Sequence, residues 1–193
     1  TGKSCFAWAG GVTGPCFAAQ GNILAGAQVV DALSETFTQT SGDLPHRLYA
    51  ALLAGDRAGG DRRGRQSAAI LVVKPKGGYG GFNDRWVDYR IDDHPDPVFR
   101  LGELLELHDL YFGESPESER MRLEGETLRR LKVIMIRLGY YLGEPDPVYD
   151  EKTRTALEAF LGNENFEERV DLKTGTIDRP VYEYLLRQFW TDR

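Results

Sequence analysis

The chain has 193 residues, 41% hydrophobic and 28% charged, with a formal net charge of −6. That length suits one ordinary domain or two small ones, and the negative balance argues against nucleic acid, whose phosphates need a basic face. No apolar run approaches the roughly 18 residues that cross a bilayer, and no Lys/Arg-rich amphipathic stretch marks a membrane surface.

The first residue is Thr1 and not methionine. The expectation is a removed leader, a fragment or a self-cleaved chain, and in the last case Thr1 is catalytic. Residues 4–9 (SCFAWA) and 15–20 (PCFAAQ) are small-plus-aromatic runs around glycines, which predict a hairpin with GGVTG as its loop. Cys5 and Cys16 would face each other only across a two-residue Gly10-Gly11 turn; the longer loop slides them out of register and leaves them unbridged. Over 27–38, Val29, Val30, Leu33 and Phe37 recur at helical spacing. Asp43 caps a second helix that turns Leu48, Ala51 and Leu52 inward and ends near Gly55. A polar, glycine-rich loop follows. SAAILVV at 67–73 is a near-continuous apolar strand, expected to be buried on both faces. RWVDYRI at 85–91 alternates as a strand. Asp96 caps a helix with Pro97 in its first turn and Val98, Leu101, Leu104, Leu105 and Leu107 as its apolar positions. His108 near its end reads as a surface or C-terminal capping residue.

This order suits an antiparallel sheet with two helices inserted after its first hairpin. The core is thin, and further N-terminal sequence completing the sheet would explain that. FGESPESERMRLEGE at 112–126 is polar without apolar period, a linker or solvated helix. Leu128, Leu131, Val133, Ile134, Met135 and Leu138 then mark a helix stopped by Gly139. Asp150 caps a second helix ending at Gly162, and Pro180 opens a third. The fold class is α+β, with one domain over 1–112 and a small three-helix module over 113–193.

Several stretches could carry chemistry. A threonine with a free α-amino group holds its own base: the amine has an ordinary pKa of about 8 and can take the hydroxyl proton. Gly2 would leave such a nucleophile uncrowded. The plain alternative is a trimmed terminus. GGDRRGRQSA, residues 59–68, is the densest polar cluster and lies at a strand end, where sites gather. Arg62, Arg63 and Arg65 could grip a carboxylate, Asp61 could orient an ammonium, and Gln66 and Ser67 could donate to a substrate carbonyl. A solvated loop with surface ion pairs is the other reading. At the end of the second strand, the Asn22 amide or the Gly21 backbone N–H could serve an oxyanion, though Gly-Asn is also an ordinary turn pair. DDHPDP at 92–97 reads as a strand exit and helix cap. GGYGG at 77–81 lacks the GK[ST] of a phosphate loop. His46, His94 and His108 lie in unrelated settings and no CxxC occurs, so neither metal nor cofactor is expected.

TGKSCFAWAGGVTGPCFAAQGNILAG, AGGDRRGRQSAAILVV and VDYRIDDHPDP together resemble a bacterial family catalogued as domain of unknown function 1028, over about residues 1–112. That family is placed with the N-terminal-nucleophile (Ntn) hydrolase-like proteins. The resemblance implies the C-terminal part of an αββα sandwich whose first strand begins with the nucleophile. It also implies self-cleavage before Thr1, with the released N-terminal fragment as a partner. An amidohydrolase acting on a small amide or peptide-like bond would follow, as a homo-oligomer. The tail, from LKVIMIRLGYYLG to TGTIDRPVYEYLLRQF, resembles a peptidoglycan-binding-like module, which implies a glycan partner for 113–193. Lys132 and Leu161 stand where that pattern often has glutamine. The rival readings are a wall-binding protein on a non-catalytic scaffold, and a non-catalytic relative in which Thr1 only marks a cut. Few cysteines favour the cytoplasm, while a wall-binding tail would argue for export.

Overall fold

Val12 and Thr13 are β-branched residues that favour extended backbone, and they draw the surrounding glycines into a strand. In the computed structural model, which describes residues 3–6, 8–113 and 115–190, β1 (Ala9–Gly14) pairs antiparallel with β2 (Phe17–Asn22) and Gly14 lies opposite Phe17. The turn is therefore Pro15-Cys16, and the GGVTG stretch expected as a loop is strand. Glycine permits this packing: a Cβ on Gly14 would lie 2.1 Å from the Phe17 ring, and one on Gly10 2.5 Å from Trp8. Cys16 sits in the turn, and Cys5 and Cys16 are free and exposed.

The described residues cluster into two compact units, Thr1–Leu107 and His108–Arg193. In the first, α1 (Ala27–Gln39) and α2 (Leu44–Arg57) follow the hairpin. Asp43 caps α2, accepting from the His46 backbone N–H at 3.2 Å, and Pro45 occupies its first turn. The helix ends at Arg57, close to Gly55 as expected, and Gly55 is also a helix contact: a Cβ there would lie 2.8 Å from Leu33 Cγ. β3 (Ala68–Val73) pairs antiparallel with β4 (Arg85–Ile91) in a sheet separate from β1–β2, so the single sheet expected from the element order is not formed. Ile70, Val72 and Val87 pack on Leu101 and Leu105 of α3 (Pro97–Phe112). Leu71 and Val73, on the other face, are 55% and 66% exposed. The pleat sends alternate side chains to opposite faces, and one layer of helix covers one face, so the expected burial of both faces of β3 does not occur. α3 meets α2 closely at Gly102, where a Cβ would fall 2.1 Å from the Tyr49 hydroxyl.

Among the described residues, the second unit holds the end of α3, a three-stranded antiparallel sheet and three further α-helices. β5 (Arg120–Arg122), α4 (Gly125–Arg137), α5 (Glu151–Asn163), β6 (Val170–Asp171), β7 (Thr176–Asp178) and α6 (Arg179–Phe189) follow in order, and the strands lie β5-β7-β6. The module expected to be three helices thus carries a sheet, and the expected linker contributes one of its strands. Three residues are too few to show a period; Met121 becomes a strand residue because Ile177 lies opposite it. Leu128, Leu131, Leu157, Phe160 and Ile177 form a fully buried core. Asp150 caps α5 by accepting from the Thr153 N–H at 2.8 Å, and Gly139, at φ 85, ends α4. His108 is buried, its ring centroid 5.3 Å from that of Phe112, so it is not the surface residue its position suggested.

Candidate active site

The loop between α2 and β3 is shaped by three left-handed glycines, Gly59, Gly60 and Gly64, at φ 121, 48 and 110. It is stitched to the exit of β2. The Ala25 N–H donates to the Gly60 carbonyl at 3.0 Å and the Arg62 N–H to the Ile23 carbonyl at 2.9 Å, while Leu24 and Asp61 form a bridge. Ile23 pays for this join with φ 61, a region β-branched residues avoid. At its far end the loop is tied to the β4–α3 connection, where the His94 N–H donates to the Gln66 carbonyl at 2.9 Å. His94 Nδ1 in turn accepts from the Asp96 N–H at 3.0 Å, so DDHPDP organises the entry to α3.

Two forked ion pairs then order the side chains. Asp61 accepts from the Arg63 Nε at 3.0 Å, Nη2 at 2.7 Å and backbone N–H at 2.8 Å. These bonds, the side-chain ones foremost, draw the Asp61 carboxyl down to about 2. Arg65 donates from Nε and Nη2 to Asp56, at 2.7 and 2.8 Å. Each arginine spends two nitrogens this way. Among the described residues neither Nη1 has an acceptor.

These groups stand at a cleft of about 630 Å³, within the usual range for small-molecule sites of roughly 300–1,000 Å³. Asp61, Arg63, Gln66 and Ser67, four residues singled out in the sequence, line it together. Its floor is carbon from Leu24, Val29, Leu33, Leu52 and Val98. Gly21 and Asn22 lie on β2 opposite Gly10 and Ala9, outside the lining; their neighbour Gln20 belongs to it. Thr1 lies outside the described residues. Asp56 and Asp93 also line the cleft; Asp93 lies in the DDHPDP stretch read from the sequence as a strand exit and helix cap, and Asp56 was not legible there. Asp56 sits in the last turn of α2 and reaches Arg65 only because the glycines fold the loop back; a nine-residue separation carries no signal. Among the described residues no three His, Cys, Asp or Glu side chains are placed to hold a metal, and no helix is long and apolar enough to cross a membrane.

In the second unit, the two departures from the peptidoglycan-binding-like pattern fall in the interior. Leu161 and Lys132 are both 0% exposed. The Lys132 ammonium donates to Asp146 Oδ1 at 2.6 Å, the Val148 carbonyl at 2.7 Å and the Tyr141 hydroxyl at 3.3 Å. A shallow groove of about 420 Å³ is lined by Arg129, Arg130, Val133, Glu144, Asp146 and Trp190. The Arg130 guanidinium lies 5.6 Å from the Trp190 ring centroid.

Residues 1–101 match the model of a family of unknown function (DUF1028), and residues 111–185 that of a peptidoglycan-binding-like domain. Among solved structures, a DUF1028 protein from Silicibacter pomeroyi is similar at 33% identity and a TM-score of 0.48, over 56% of this chain. The match spans 45% of the length of that protein. No curated protein is similar to the chain.

Proposed function

The chain belongs to the DUF1028 family of unknown function, and from that premise we propose that its first unit holds the substrate of an N-terminal-nucleophile amide hydrolase. The observation that carries this reading is the cleft, where Asp61, Arg63, Gln66 and Ser67 ring an apolar floor. The reading takes the first unit as the C-terminal part of an αββα sandwich. Thr1 Oγ1 attacks the carbonyl of the residue before it, and the Thr1 nitrogen leaves as an amine while an ester forms. Water then splits the ester, freeing the N-terminal fragment as a carboxylate and Thr1 with its α-amine. The same hydroxyl next attacks a substrate amide, its proton passing through the Thr1 amine to the leaving nitrogen. Water hydrolyses the acyl-enzyme ester to acid and free enzyme. Asn22 or the Gly21 N–H is the oxyanion donor of this scheme. The free thiols of Cys5 and Cys16 suit a reducing compartment such as the cytoplasm.

The test is intact-mass spectrometry of the protein expressed from its gene, wild type beside Thr1→Ala. Two fragments from the wild type, one starting at Thr1, and an uncleaved variant are expected. If wild type and variant stay whole, or are trimmed alike, the self-cleavage scheme fails.

A second reading concerns the helical unit. The match over 111–185 and the Trp190 groove favour glycan binding, with the indole face offered to a sugar ring and Glu144 and Arg129 to its hydroxyls. The full chain is then expected to sediment with insoluble peptidoglycan, and Trp190→Ala to remain in the supernatant with its helical content unchanged. A variant that sediments like the wild type would remove the groove from this role.

A further inference from the structure

The cleft of the first unit has two unlike ends, and their chemistry narrows its ligand; the argument rests on the hydrolase reading only for the bond that is cleaved. The floor is hydrocarbon from five side chains, two of which, Val29 and Val98, are 3% and 6% exposed. An all-polar ligand would leave this carbon wetted. At the loop end the lining carries Arg63 and Arg65, each forked onto an aspartate, Asp61 or Asp56. Arg63 and Arg65 are held in place by their own carboxylates through Nε and Nη2, so a ligand that meets Nη1 finds the guanidinium already ordered. An all-apolar ligand would displace water from these guanidinium edges and put no acceptor in its place. Asp93, in the lining from the β4–α3 connection, repels a second carboxylate from its own end and so orients an anion toward the arginines.

We infer that the cleft takes an N-acyl amino acid: an acyl chain along the Leu24–Leu33–Leu52 floor, a carboxylate at the Nη1 groups of Arg63 and Arg65, and the amide between them beside Gln66 and Ser67. Asp61 is a positioning residue, because it holds Arg63 by Nε and Nη2 and leaves Nη1 to the ligand.

Calorimetric titration of the full chain with N-octanoylglycine, octanamide and N-acetylglycine tests each end separately. N-octanoylglycine should bind about tenfold or more tighter than octanamide, which lacks the charge-assisted bonds, and tighter by a similar factor than N-acetylglycine, which lacks the buried methylenes. Arg63→Gln should erase the advantage over octanamide and leave octanamide affinity unchanged. Asp61→Asn should weaken N-octanoylglycine binding, because Arg63 loses the carboxylate that orders it. Equal affinity for N-octanoylglycine and either truncated ligand, no binding of any of the three, or an Arg63→Gln variant that keeps the preference would each overturn the inference. Octanoate release, followed in parallel, separates the two claims. Tight binding without release sinks the hydrolase reading and leaves this one standing. Cleavage of other amides without N-octanoylglycine binding does the reverse.

Discussion

Replacing Arg169 by methionine is expected to lower the stability of the helical unit by about 3–5 kcal/mol, the usual cost of removing one partner from a buried ion pair. Arg169 is 6% exposed and every side of its guanidinium is used. Nε donates to Asp178 Oδ2 at 2.6 Å, Nη1 to the carbonyls of Asp109 and Leu110 at 2.8 Å, and Nη2 to Ser115 Oγ at 2.9 Å. Those carbonyls belong to the last turn of α3, where that of Asp109 also accepts from the Gly113 N–H at 2.9 Å. Asp178 precedes α6 but makes no capping bond there; its carboxylate serves Arg169, with Arg120 Nε at a looser 3.5 Å. Methionine would leave the buried Asp178 carboxylate with only the distant Arg120 and would take a donor from both carbonyls. Urea unfolding followed by circular dichroism measures the loss. The double variant Arg169→Met/Asp178→Leu should recover much of it, because it removes the stranded charge as well. A single variant within about 1 kcal/mol of wild type would show that water replaces the arginine without penalty.

The second large effect is at Lys132. Lys132→Ala should cost about 2–5 kcal/mol, the range for emptying a packed core site. Lys132→Met, which keeps most of the stem volume, should cost about 1–3 kcal/mol, because the Val148 carbonyl loses its 2.7 Å donor and keeps only the Thr153 hydroxyl at 3.3 Å. The order of the two variants in urea separates packing from hydrogen bonding: equal losses would mean that the four-carbon stem contributes nothing. The pair also predicts a pH dependence. Hydrogen bonding to the Lys132 ammonium, then to the Val148 N–H, holds the Asp146 carboxyl below its ordinary value of 3.8. A depressed carboxyl stabilises the folded state fully above the unfolded value, and the contribution fades as the pH falls through the lower folded one. Wild type should therefore lose stability below pH 3.8 more steeply than Lys132→Met, and parallel pH profiles would break the link.

What could be read from the chain alone is what neighbours in sequence decide. Helices α1 to α6 follow from 3.6-residue apolar spacing and from caps such as Asp43 and Asp150, because a helix closes its hydrogen bonds within a few residues. The polar loop at 59–68 and its place before a strand were legible for the same reason, and with them Asp61, Arg63, Gln66 and Ser67 as a group. The family itself was legible, since its motifs are contiguous. The tertiary structure decided the rest. Whether GGVTG is loop or strand depends on the Phe17 and Trp8 rings that pack over its glycines. β5 exists because β7 lies beside it. One face of β3 stays exposed because a strand's composition cannot tell how many layers will cover it. The Asp56–Arg65 and Arg169–Asp178 pairs join residues nine apart through folded-back loops, and Lys132 is interior because Tyr141, Asp146 and Val148 close over it. Sequence spacing records local geometry. Partners brought together by chain reversal leave no periodic trace, and the carbon floor beneath the arginines is built wholly of such encounters.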